Sequence, residues 1–134
     1  TFRWKAENVS TTEVAQCLSA QEIIDEASVY GVSVAGHEGR AGMAAIVIRP
    51  GASFAGELPQ VLEELPRYAW PRFLREVDSL EVTGTFKHRK QALKEEGYRN
   101  AGSDALWVLD LSARRYRPLD AEVLAQIDDG SYPL

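Results

Sequence analysis

Two short segments of this 134-residue chain place polar side chains where a packed core has no use for them. The first, Leu80-Glu81-Val82-Thr83-Gly84-Thr85-Phe86-Lys87-His88-Arg89-Lys90, sets a turn containing a glycine ahead of a lysine with further positive charge behind it. A lysine held on a turn can neutralise charge developing on a phosphoryl or carboxylate oxygen, and the effect grows where water is excluded. The same run also reads as a solvated basic surface. It is no Walker loop, because the first glycine and the Ser/Thr after the lysine are both missing. The second segment, Trp4-Lys5-Ala6-Glu7-Asn8-Val9-Ser10, reads as a polar loop between a strand and a capped helix. Trp4 suits ligand contact and packing equally, and Glu7 and Asn8 serve equally well as helix-entry residues that satisfy backbone amides. His37 and His88 lie far apart and lack supporting Cys or carboxylate neighbours, so no metal site is expected. The single Cys17 reads as a buried thiol in a reducing compartment, not half of a bridge.

These segments must be held by a scaffold, and the apolar periodicity outlines one. Phe2 to Lys5 reads as a short strand, and Ser10-Thr11-Thr12-Glu13 fits a capping box that opens a helix with Val14, Cys17 and Leu18 on its apolar side. The pattern changes from Ile23 onward, and Val29, Tyr30, Val32 and Val34 favour a strand that ends near Gly36. Ala44 to Ile48 is a continuous apolar run, as expected of a strand covered on both faces. Leu58, Val61, Leu62 and Leu65 recur with helical spacing before Pro66, and the stretch from Pro66 to Pro71 is expected to run extended. Phe73 to Val77 reads as a third strand, Thr83-Gly84-Thr85 as a turn, and Gln91 to Glu96 as a short helix stopped by Gly97. Two strands, Leu106 to Leu111 and Arg115 to Arg117, and a last helix capped by Asp120 complete the pattern. Trp70 and Trp107 read as packing residues. The expectation is a small α+β domain: one compact mixed sheet covered by three or four helices, with a short N-terminal strand and hairpin elements.

Composition narrows the function classes. A chain that is 45% hydrophobic and 26% charged can bury a core of its own. A formal net charge of -5 argues against nucleic acid as the main partner, so any anion site must be local. There is no run of about 18 apolar residues to span a bilayer and no charged-then-apolar leader. The immediate strand-like opening, Thr1-Phe2-Arg3-Trp4-Lys5, reads as a segment cut from something longer.

At the two polar segments the chain resembles the C-terminal domain of the adenylate-forming superfamily, which includes acyl-CoA synthetases, luciferases and nonribosomal peptide adenylation domains. Those proteins carry a pattern L-P-x-T-x-S-G-K, on which Leu80, Thr83 and Lys87 fall, with Thr85 in the serine position. Glu81 stands where Pro is usual and Phe86 where Gly is usual. The form E-x-T-G-T-F-K-x-x-K is similar to that of the fatty acid transport protein and very long chain acyl-CoA synthetase branch. Phe2 to Thr11, Tyr30-Gly31-Val32, Gly36 to Ala45 and Pro71-Arg72-Phe73-Leu74-Arg75 also resemble that branch, so the likeness covers nearly the whole chain. Ala6 occupies a place where the superfamily usually has Gly, and its methyl group could narrow a path that backbone must approach closely.

The resemblance implies a single domain, residues 1 to 134, that serves as the C-terminal lid of a larger fatty acid-CoA ligase of the long or very long chain type. Such enzymes join a fatty acid to ATP as an acyl-adenylate, then pass the acyl group to CoA, with Mg²⁺ in the full-length protein. By this likeness Lys87 is the catalytic lysine of the first step. Trp4, Lys5, Ala6, Glu7 and Asn8 form the CoA-side loop of the second, and Thr85 belongs to the lysine turn. The implied partners are the N-terminal adenylation domain of the same polypeptide and the substrates fatty acid, ATP and CoA. A cytoplasmic location is implied, with attachment at a membrane's inner face only through the larger part. The domain alone is expected to bind none of these cofactors and to be inactive. Two other readings stand beside this one: a stand-alone binding module using residues 87 to 90, and a degenerate lid kept for scaffolding.

Overall fold

The computed structural model describes residues 1–80 and 86–134, with side chains for all of these except 86–89. A hairpin of β1 (Phe2–Trp4) and β2 (Glu7–Val9) opens the chain and leads into α1 (Thr11–Ser19). Ser10 caps this helix as its sequence suggests, its Oγ accepting from the Glu13 amide at 3.2 Å. There follow β3 (Ile24–Val32), β4 (Ala41–Ile48), α2 (Pro59–Glu64), a single 3₁₀ turn at Arg67–Ala69, β5 (Phe73–Glu76), α3 (Phe86–Glu96), β6 (Leu106–Asp110), β7 (Arg115–Pro118) and α4 (Ala121–Asp129).

The last five strands form one mixed sheet in the order β3-β4-β5-β6-β7, with β4 and β5 parallel and the other neighbours antiparallel. Side-chain alternation sends Ala44, Ile46, Leu74 and Leu109 to one face, where Val14 and Leu18 of α1 and Val61 and Leu62 of α2 cover them. Met43, Ala45, Phe73 and Val108 point the other way, against Leu93 of α3 and Val123 and Ile127 of α4. β4 is therefore buried on both faces, which is why its sequence is an unbroken apolar run. The α+β expectation, one sheet under four helices beside a hairpin, is met. Among the described residues no helix is long and apolar enough to cross a membrane.

Four local expectations need correction. The segment Trp4 to Ser10 is a strand turn and second strand, not a loop. Residues between Pro66 and Pro71 do not run extended throughout. Leu65 and Trp70, each directly before a proline, are extended with ψ 147° and 126°, but the three residues Arg67–Ala69 between them are free to turn. α3 begins at Phe86, well before Gln91. Cys17 is only half-buried, with its Sγ 3.4 Å from Glu64 Oε2. Partial burial and the Glu64 carboxylate push its thiol up to about 11.

Candidate functional site

The hairpin is built from a register in which Phe2 faces Val9, Arg3 faces Asn8 and Trp4 faces Glu7. That pairing leaves Lys5 and Ala6 as a two-residue turn. Both have positive φ, 48° and 70°, the combination whose twist matches a tight hairpin and which Asn or Gly adopts more readily. Ala6 therefore carries backbone strain of about 1–2 kcal/mol. Lys5, Ala6, Glu7 and Asn8 are all exposed.

Trp4 is placed otherwise than as a ligand contact: its ring is 1% exposed and belongs to the core under α3 and α4. It is enclosed by charged and aromatic groups. The Lys5 ammonium stands 5.4 Å and the Arg72 guanidinium 5.9 Å from its ring, and the His37 ring lies 5.2 Å away. Lys5 Nζ also donates to a main-chain oxygen of Leu134. A bridge from Trp4 to Gly39, with the Arg40 amide donating to Arg3 O at 2.7 Å, fastens the hairpin to the β3–β4 connection. A Cβ on Gly39 would lie 2.4 Å from Arg3 O, so that joint closes only around glycine. Beside the tip, Arg3, Lys5, Ala6, His37, Glu38 and Gly39 line a shallow groove of about 490 Å³.

Arg72 was not singled out for itself by sequence reasoning, although a charge set between Trp70-Pro71 and Phe73-Leu74 is a visible signal. It is 4% exposed and has no carboxylate partner among the described residues. One Nη donates to the Arg67 and Trp70 carbonyls at 2.8 and 2.7 Å, while its Nε and the Trp4 Nε1 are buried without an acceptor among the described residues. Burial, with the Arg67 charge adding to it, pushes the guanidinium down to about 10.

Thr85 lies outside the described residues, and so does the side chain of Lys87, whose backbone falls within α3. From Lys90 onward the side chains of α3 are described as well. Lys90 and Lys94 lie along the hollow that α3 makes with β1 and β3, together with Arg40. The hairpin tip and α3, whose first residues belong to the segment 80–90, carry the two polar features that the sequence isolates. They adjoin opposite ends of β1: Thr1 and Phe2 border the α3 hollow, and Arg3 and Lys5 border the groove at the tip.

The description "AMP-binding enzyme C-terminal domain" matches residues 13–87 of the chain, more than half of its length. The chain is 44% identical over 137 residues to Long-chain fatty acid transport protein 2 of Rattus norvegicus, covering 100% of this chain and 22% of the relative. It is also 44% identical over 135 residues to Medium/long-chain-fatty-acid--CoA ligase FadD6 of Mycobacterium tuberculosis, covering 99% of this chain and 23% of that one. It spans roughly a fifth of the length of these curated relatives. Coronafacic Acid Ligase from Pectobacterium brasiliense shares the fold with a TM-score of 0.62 at 16% identity, over 78% of this chain and 20% of the ligase. The resemblance carried by the two polar segments therefore holds: this chain belongs to the family of AMP-binding enzyme C-terminal domains.

Proposed function

We propose that this chain is the lid of an AMP-forming fatty acid-CoA ligase and works on a larger adenylation domain of the same polypeptide. The observation that carries the reading is the pairing of two polar features on one rigid scaffold: an exposed, strained hairpin tip pinned by Trp4, and a helix that begins at the lysine segment. The relatives' names supply the substrate class, long or medium-chain fatty acids and CoA.

In the first half-reaction a fatty acid carboxylate meets the α-phosphate of ATP, with Mg²⁺ held by the larger domain. Two anions must approach, and the Lys87 ammonium lowers their repulsion while fixing their orientation. Thr85, in the same segment, helps to position that lysine. In the second half-reaction the lid turns as a body and the tip residues Lys5, Ala6, Glu7 and Asn8 border the channel for CoA. Trp4 acts here as the anchor that keeps the tip in register. The exposed Ala6 lines the groove at the turn, and its methyl meets whatever passes along it. A cytoplasmic site of action, with membrane attachment only through the larger part, completes the reading.

The test is to join the chain to its adenylation domain and measure pyrophosphate release from ATP and fatty acid. Lys87→Ala should lower this rate by about 10²–10³-fold. Thioester formation from supplied acyl-adenylate should change far less. Equal losses in both half-reactions, or none in the first, would remove Lys87 from the role.

A further inference from the structure

The hollow between α3 and the β1/β3 edge has a volume of about 550 Å³, the size of a small-ligand site. Arg40, Lys90 and Lys94 line it, against one carboxylate, Glu95, which already accepts from Gln91 Nε2 at 3.2 Å. Among the described residues neither Lys90 nor Lys94 has an ion-pair partner. Arg40 donates through one Nη to Ser33 Oγ, which leaves the rest of its planar fork available. Burial, with the Lys94 charge adding to it, holds the Lys90 ammonium below its ordinary value. A second hollow of about 300 Å³ continues from the first and shares Arg40, Lys94 and Glu95 with it, giving an elongated groove. Such a concentration of cations stands out on a chain whose net charge is -5.

We infer that this groove binds a linked pair of phosphates, the diphosphate group that ATP and CoA have in common. Glu96 and Arg99 of the second hollow are already tied to Arg75 and Asp128, so the elongated groove keeps Arg40, Lys90 and Lys94 against the engaged Glu95. This balance matches an anion of multiple charge, whereas a single carboxylate would leave most of the positive field uncompensated. The Thr11 hydroxyl and the Gln91 amide line the same hollow and can donate to phosphate oxygens. Its lining is mainly polar and charged, with Phe2 and Tyr30 as the aromatic members, and does not suit an acyl chain. Lys90, Gln91 and Lys94 follow residue 87 along α3 at helical spacings of three, four and seven. The inference rests on the ligase reading only for the choice of ATP and CoA as natural sources.

The experiment is a calorimetric titration of the 134-residue chain with inorganic diphosphate, ATP and CoA, at constant ionic strength and with sulfate as control. Saturable binding of diphosphate is expected, against the expectation from sequence that the domain alone binds no cofactor, and it should weaken about a hundredfold in Lys90→Gln/Lys94→Gln, since each lost charged contact removes about a factor of ten. Arg40→Gln should weaken it as well, and an unchanged Tm shows that each variant is folded. Tighter ATP than CoA assigns the groove to the triphosphate, and the reverse order assigns it to CoA; either supports the site. Absence of saturable binding, equal affinity in the double variant, or sulfate binding as tightly as diphosphate would overturn it. Because these titrations leave Lys87 intact, the groove can fail while the Lys87 rate test succeeds, or the reverse.

Discussion

Arg72 and Arg75 lie three residues apart around one short strand and are equally buried, at 4% and 5% exposure, yet they are held in opposite ways. Arg75 reaches Asp104 at 2.8 Å and Glu96 at 3.0 Å. Burial alone would lower its pKa, but the two hydrogen bonds and charges outweigh burial and raise it. Arg72 donates to two carbonyls and faces an aromatic ring, finds no acceptor for its Nε among the described residues, and is pushed down. The surroundings differ in the same sense. Around Arg75 the charges are matched and tie β5 to the end of α3. Around Arg72 lie an indole N–H and a cation that lack an acceptor and an anion among the described residues, and two non-glycine residues at positive φ. Local rules are kept where the molecule only has to stand and broken beside the hairpin tip, the pattern expected when a region serves something beyond its own stability.

Removing Arg75 should have the largest effect. Arg75→Met is expected to lower unfolding free energy by about 3 kcal/mol in urea denaturation, near the lower limit for a broken buried pair. The lower limit applies because the Asp104 and Glu96 side chains are 30% and 36% exposed and can be rehydrated. Arg72→Met should cost less, about 1–2 kcal/mol, since two carbonyls lose a donor while an unneutralised buried charge is also relieved. Its distinctive mark should be faster amide hydrogen exchange in the hairpin. If the two substitutions proved equally costly, with no change at the hairpin, the contrast between the two arginines would fail. Ala6→Gly sharpens the same contrast from the other side: it should stabilise the domain by about 1 kcal/mol, seen as a higher urea midpoint, by relieving the left-handed backbone.

Much of the scaffold was readable in the sequence. The Ser10 and Asp120 caps act through short-range bonds, to the Glu13 and Val123 amides, and both helices begin where those residues say. β4 showed its double burial in its composition. The hairpin was harder to read, because Lys5-Ala6 lacks the Asn or Gly that marks a tight turn, and its register depends on Trp4 meeting Gly39, far away in sequence. The start of α3 was hidden for an electrostatic reason. Lys87, His88, Arg89 and Lys90 occupy its first turns without an acidic residue, against the helix dipole, so local rules put the start at Gln91. At the candidate site, residue types and order pointed to the lysine segment and the tip. The burial of Trp4 and the role of Arg72 follow from tertiary packing, which no local pattern encodes.

The spatial order of the five-stranded sheet, β3-β4-β5-β6-β7, repeats the order of its strands along the chain. During synthesis each strand can therefore be laid against a neighbour that has already emerged, and no strand has to be inserted between two that are already joined. The exposed growing edge moves toward the C-terminus and is occupied last by β7, a short strand rich in arginine and ending in proline, residues that discourage pairing with a second molecule. The sheet is thus open to assembly while the chain grows and blunted once it is complete.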